Sequence, residues 1–159
     1  MKRSPAGLAP LLGTYRYGED RKPGEGLRIG AARFVPRGVR REDWQRKGCF
    51  DIWLPLLAPS PELIAEFRHG HIPFATFARR YRSEMKSRES EQVIGLLAGV
   101  SLFLPIRVGC FCEDESVCHR SVLIKLISAA AENRRAGFEA IQADFPLASP
   151  REFEGRSGS

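Results

Sequence analysis

The chain has 159 residues, 43% hydrophobic and 28% charged, which suits one domain with a real core. No apolar run reaches the roughly 18–20 residues that span a bilayer, so a membrane span is excluded. Net charge is +6, and the excess is N-terminal: residues 1–47 hold 12 Lys and Arg against 5 Asp and Glu, and the remainder holds 13 against 14. A basic face of this kind serves nucleic acid, an anionic ligand or solvent, and no aromatic-interleaved basic motif selects among them.

The N-terminus, MKRSPAGLAPLLG, is basic and then mildly apolar. It lacks the long apolar stretch of an export signal and reads as an ordered strand or a frayed tail. The expected compartment is the cytoplasm, where four cysteines remain thiols. YGEDRKPGEG (17–26) reads as a loop. LRIGAARF (27–34) predicts a strand, stopped by the Pro36-Arg37-Gly38 turn, and 39–47 predicts a helix. DIWLPLLAPS (51–60), broken by Pro55 and Pro59, predicts a buried irregular segment.

Ser60-Pro61-Glu62 is a helix start: a capping hydroxyl, a proline at the first position and an acid at the positive end of the dipole. That helix runs to about Arg68. Further helices are predicted over 72–86, with Phe74, Phe77, Ala78 and Tyr81 on one face, and over 91–103, weakened by Gly95 and Gly99. LPIRVGCFC (104–112) predicts a central strand and EDES (113–116) an acidic loop. Residues 117–135 predict a strong helix, apolar at Val122, Leu123, Leu126 and Ile127. Periodicity is lost after Gly137, so 1–137 is expected to form a single α/β domain and 138–159 a flexible tail.

This order predicts an α/β fold with a small, mostly parallel sheet flanked by helices, a three-layer Rossmann-like arrangement. Ligands then bind beyond the carboxyl ends of the strands, where the Arg33–Gly38 and Cys112–Arg120 loops would meet.

CFCEDESVCHR (110–120) carries three of the four cysteines. Cys110, Cys112, Cys118 and His119 have the atoms of a zinc site, but not the usual C-x₂₋₄-C spacing, so no metal is expected. A reactive thiol is the second reading. Cys118 in the first turn of a helix, beside His119 and Arg120, would favour a thiolate, while Glu113, Asp114 and Glu115 would oppose it. The third reading is structural, with Cys110 a small core residue. The fourth is an anion site at the helix start, ringed by Arg120, Arg33 and Arg37. P-loop and dinucleotide-binding fingerprints are absent, and no cofactor is expected.

The blocks YRYGEDRKPGEGLRIGAARFVPRGVRREDW, DIWLPLLAPSPEL, FATFARRYRSEM and CFCEDESVCHRSVLIKLI resemble the bacterial family called domain of unknown function 488, over about residues 14–127. The resemblance implies a compact α/β domain whose site gathers Pro36, Arg37, Gly38, Trp53, Pro59, Ser60, Arg80, Tyr81, Cys118, His119 and Arg120. Some members read D-R-x-W-P-R-G at the first turn and N-H-A at the last; Ala32 and Val35 stand in place of that Asp and Trp here, and Cys118 and Arg120 flank the shared His119. The resemblance brings no activity with it.

The functional expectation is recognition or processing of a phosphate-bearing or nucleotide-like anion. His119 is the candidate acid or base and Cys118 the candidate nucleophile. Arg33, Arg37, Arg80, Tyr81 and Arg120 are the candidate ligand contacts. The alternatives are a thiol-dependent enzyme, a nucleic-acid-binding or accessory protein using the basic N-terminal region, and a structural interaction domain. Whether the chain is an enzyme stays open at this point.

Overall fold

The computed structural model describes residues 9–144. Four strands, β1 (Leu12–Arg16), β2 (Leu27–Gly30), β3 (Ile52–Trp53) and β4 (Ile106–Cys110), form one all-parallel sheet in the order β1-β4-β2-β3. Four helices follow in chain order: α1 (Pro61–Arg68), α2 (Phe74–Glu84), α3 (Arg88–Ser101) and α4 (His119–Asp144). The expected α/β class is therefore present. Among the described residues no helix is long and apolar enough to cross a membrane.

The register explains the two faces. Leu12, Ile106 and Leu27 lie side by side, as do Thr14, Val108 and Ile29. All of these but Thr14 meet Leu63, Tyr81, Leu97 and Leu123 from the four helices in one apolar cluster. Each fully buried leucine or isoleucine contributes about 1.5–3 kcal/mol. On the opposite face lie Gly13, Tyr15, Arg28, Gly30, Arg107 and Gly109. Loop, not helix, supplies the third layer there: the 17–26 and 44–50 segments bring Tyr17, Glu19, Gly48 and Phe50 over it. Gly109 matters because the Tyr15 ring lies across it; a Cβ there would come 2.2 Å from Tyr15 Cζ.

Arg28 is the polar centre of that second face and is 1% exposed. Its Nε donates to Glu25 Oε1 at 2.6 Å, its Nη1 to the carbonyls of Glu19 and Gly48, and its Nη2 to Asp20 O and Glu25 Oε2. Its guanidinium sits 4.4 Å from the Tyr15 ring centre. A buried charge is tolerable only when it is paired and hydrogen-bonded, and Arg28 is both.

Several boundaries differ from the sequence expectation, each for a physical reason. β2 stops at Gly30, not residue 34: Ala31 still donates to Gly109 O, but the chain then leaves the sheet, with Ala32 buried against Cys110 and Cys118. The expected helix over 39–47 is only a 3-10 turn at Arg41–Asp43, since none of its residues is buried and no apolar face holds a longer helix. The irregular 51–60 segment contributes the two-residue strand β3 and a 3-10 turn at Pro55–Leu57. Ser60 caps α1 as expected, accepting from Leu63 N. α3 begins at Arg88, earlier than expected, because Ser87 caps it through Ser90 N. Its glycines are places of close approach: a Cβ at Gly99 would lie 2.7 Å from Phe138 Cζ of α4. That contact, with Phe103 against Phe138, carries α4 past Gly137 to Asp144. The rest of the expected tail, 145–159, and residues 1–8 lie outside the described residues.

Candidate functional site

The parallel register brings the carboxyl ends of β1, β2 and β4 together at Arg16, Gly30 and Cys110. From Cys110 the chain turns through Phe111 and Cys112 into the acidic loop. Arg16 pins this turn, donating from Nε to Phe111 O at 3.2 Å and pairing from Nη2 with Glu113 at 3.1 Å. Asp114 then caps a 3-10 turn at Glu115–Val117 by accepting from Ser116 N. That turn reverses the chain and delivers Cys118 back to the strand end.

Cys118 is extended, with φ −117° and ψ 144°, and stands immediately before α4. This corrects the expectation that it lies in the first helical turn. It is the capping residue, its carbonyl accepting from Ser121 N and Oγ, and its side chain faces inward at 1% exposure. There the sulfurs of Cys110, Cys112 and Cys118 gather, all within 4.8 Å of one another. The Cys110 and Cys112 sulfurs are 3.8 Å apart.

Cys112, the half-buried member, is pulled well below the ordinary thiol value, first by the Cys110 thiol, then by the Cys118 thiol and the nearby Arg120 charge. Cys110 and Cys118 are pushed up, because each donates to neighbouring sulfur and both are buried. These directions favour the thiolate on the half-buried Cys112 over the buried Cys118.

His119 opens α4 and is 6% exposed. Its Nε2 lies 2.8 Å from Ala31 O, and a carbonyl only accepts, so the proton is on Nε2. Nδ1 is left as an acceptor 3.8 Å from Cys118 Sγ. Burial lowers the imidazole below its usual value and keeps it neutral. Tyr81 presents its ring edge to His119 at 5.5 Å and donates its hydroxyl to Leu57 O, which fixes the ring that His119 rests on.

Arg120 is 3% exposed. Its Nη1 donates to Tyr15 O at 2.8 Å, and its Nε is buried with no hydrogen-bond partner among the described residues. No carboxylate pairs with it among those residues.

The three sulfurs open on a cavity of about 140 Å³, with Cys112, Cys118 and His119 in its wall. Phe34, Phe111 and Val117 line it while remaining 64%, 41% and 42% exposed. Arg33 and Arg68 complete the lining on the polar side.

The structure thus brings Cys118, His119, Arg33 and Arg120 to one end of the sheet. Arg33 lines the cavity, although its Nε and Nη2 are committed to the carbonyls of Ala58 and Pro59. Arg120 turns to β1 and does not line the cavity. Arg37 is exposed, lines no part of the cavity and makes no hydrogen bond or ion pair among the described residues. Arg80 forms a two-pronged pair with Glu66, at 2.6 and 2.8 Å, joining α2 to α1 outside the cavity. Several N-terminal arginines are occupied as well: Arg16 pairs with Glu113, Arg21 with Asp51, Arg28 with Glu25, Arg40 and Arg46 with Asp43.

Sequence reasoning missed the parts played by Cys112, Phe111, Phe34, Val117 and Arg68. The alternation in Cys110-Phe111-Cys112 held a signal, since the strand ends there and an aromatic beyond a sheet edge has no core to enter.

The chain matches the family model DUF488-N3a, described as the active DUF488-N3 subclade, over residues 12–131. It is 32% identical over 113 residues to uncharacterised proteins of Mycobacterium bovis and Mycobacterium tuberculosis, covering 71% of this chain and 90% of each relative. No solved structure matches. The chain belongs to the DUF488 family.

Proposed function

We propose that the cavity recognises and processes a small anionic, nucleotide-like ligand. One observation carries the reading: three solvent-exposed apolar side chains, Phe34, Phe111 and Val117, surround a single cavity that also holds Arg33, Arg68, Cys112 and His119. Exposed aromatics gathered at a concave site fit a planar apolar body, each stacking contact contributing about 1–3 kcal/mol. The guanidinium of Arg68 fits its anionic group. The description of the matched subclade as active fits a site that turns its ligand over. A small ligand is favoured over a nucleic-acid strand because so many N-terminal arginines are held in ion pairs.

Titration calorimetry with AMP, adenosine and inorganic phosphate tests this. AMP is expected to bind, adenosine and phosphate each more weakly. Phe111→Ala should weaken AMP by about 5-fold or more, consistent with lost stacking. Arg68→Ala should remove the advantage of AMP over adenosine. Absence of binding by any mononucleotide at millimolar concentration, or indifference to both substitutions, would overturn the reading.

Covalent thiol catalysis is a second reading, and the half-buried position of Cys112 on the cavity wall favours it. It moves the nucleophile from Cys118 to Cys112, the sulfur that a substrate can reach. Iodoacetamide with peptide mapping, in the presence of EDTA, should label Cys112 ahead of Cys49, Cys110 and Cys118. Labelling of Cys118 first, or of none faster than a free cysteine, counts against it.

A further inference from the structure

We propose that Cys110, Cys112 and Cys118 form a three-sulfur zinc site whose fourth coordination position opens onto the cavity. The inference goes beyond the nucleotide reading and does not depend on it. The spacing along the chain argues against zinc, but the 3-10 turn at Glu115–Val117 supplies what the spacing lacks by returning Cys118 to the strand end.

Distance is the first argument. A tetrahedral zinc with bonds of about 2.3 Å holds its sulfurs about 3.8 Å apart. The Cys110 and Cys112 sulfurs stand 3.8 Å apart, and the third is within 4.8 Å of both. Closing the remainder needs side-chain adjustment of about 1 Å, on the scale of these bond lengths.

Donor set and ligand number follow. Three sulfurs without a carboxylate select a soft or borderline ion over magnesium or calcium. His119 is not a fourth ligand in this geometry: among the described residues only the three sulfurs lie within 4.8 Å of one another, and Nε2 is committed to Ala31 O. Because all three cysteines line the cavity, the open position points there. Three protein ligands with one open position is the arrangement of reactive zinc sites rather than closed structural ones.

Charge selects a divalent ion. Zinc with three thiolates carries a net charge of −1, and copper(I) would carry −2. Arg120 is buried without a carboxylate, with Nε unpartnered, and is adjacent in sequence to His119 at the cluster. One unbalanced cation beside the site matches one net negative charge. Water at the open position would be polarised by the ion within the cavity.

The test uses the full reduced chain, stripped with EDTA and titrated with zinc chloride against a chromophoric chelator. One zinc per chain is expected. Cobalt(II) in its place should give sulfur-to-metal charge-transfer absorption and the strong visible bands of a tetrahedral site. Cys112→Ser, at the half-buried position, should bind zinc more than about 100-fold more weakly, a loss exceeding that from second-shell changes. Cys49→Ser should leave stoichiometry and affinity unchanged. Circular dichroism confirms that each variant is folded, and bound zinc should protect Cys112 from iodoacetamide. A folded wild-type chain that takes up no stoichiometric zinc at micromolar concentration, or a Cys112→Ser chain that binds as tightly, overturns the proposal. Such a result leaves AMP calorimetry in EDTA unaffected, so the two readings fail separately.

Discussion

Two buried arginines meet the same tyrosine from different directions. Arg28 lies over the Tyr15 ring, and Arg120 donates to the Tyr15 carbonyl. Arg28 is surrounded by a carboxylate and three carbonyls. Arg120 has one carbonyl, an unpartnered Nε and a cluster of sulfurs close by. The first charge is neutralised by the fold and holds two loops on the sheet. The second is left over by the fold, and its compensation has to come from the site. A side chain that is satisfied by its own scaffold reports on stability. One that is not satisfied reports on chemistry.

This contrast can be broken most directly at Arg28. Arg28→Met leaves Glu25 buried without its cation and is expected to cost about 3–5 kcal/mol in urea unfolding. A loss below about 1 kcal/mol would remove the distinction between the two arginines. Arg120→Leu should cost less, about 1–3 kcal/mol for the stranded carbonyl, while lowering zinc affinity about 10–100-fold. Equal stability losses for the two variants would mean that Arg120 too is mainly structural.

Acid sharpens the difference further. The hydrogen bond from Arg28 holds Glu25 below the usual carboxylate range, aided by Lys22 N. Because the folded value is the depressed one, this stabilisation is complete above the unfolded value of about 4.3 and disappears as pH falls through the folded value. Acid unfolding of Glu25→Gln should be less steep than that of the native chain below about pH 4. The smallest expected effect is at the cavity mouth. Phe111→Ala should cost about 0.5–1.5 kcal/mol, the edge-on contact of its half-exposed ring with Tyr17, while AMP affinity falls.

The same local-versus-remote distinction decides what was legible in the sequence. Ser60-Pro61-Glu62 announced α1 because capping involves neighbours only. β4 and α4 were legible from apolar runs of strand and helix character, and their junction marked the site. β1 was ambiguous because LGTYR has little strand signal of its own; its identity comes from pairing with β4, more than ninety positions away. The thiol assignment pointed to Cys118 because helix position was visible and burial was not. Burial instead favours Cys112, which keeps an opening to the cavity. Arg33, Arg37 and Arg120 looked equivalent in one dimension. Arg33 is spent on the carbonyls of Ala58 and Pro59, Arg120 on Tyr15, and neither partner is nearby in sequence. Gly95 and Gly99 looked like weaknesses of α3, yet Gly99 makes room for Phe138.

The length of α4 has a consequence for motion. Twenty-six residues extend about 39 Å, whereas the five-residue strands it packs on extend about 17 Å. Its fully buried positions run from Leu123 to Ala131, close to the His119 end, and beyond them Phe138 is the main hold. Amide hydrogen exchange should therefore be slowest across the first three turns and quicken towards Asp144. Fraying at the far end acts on a lever whose pivot is the buried section, so the sulfurs occupy the still end of the longest helix in the described chain.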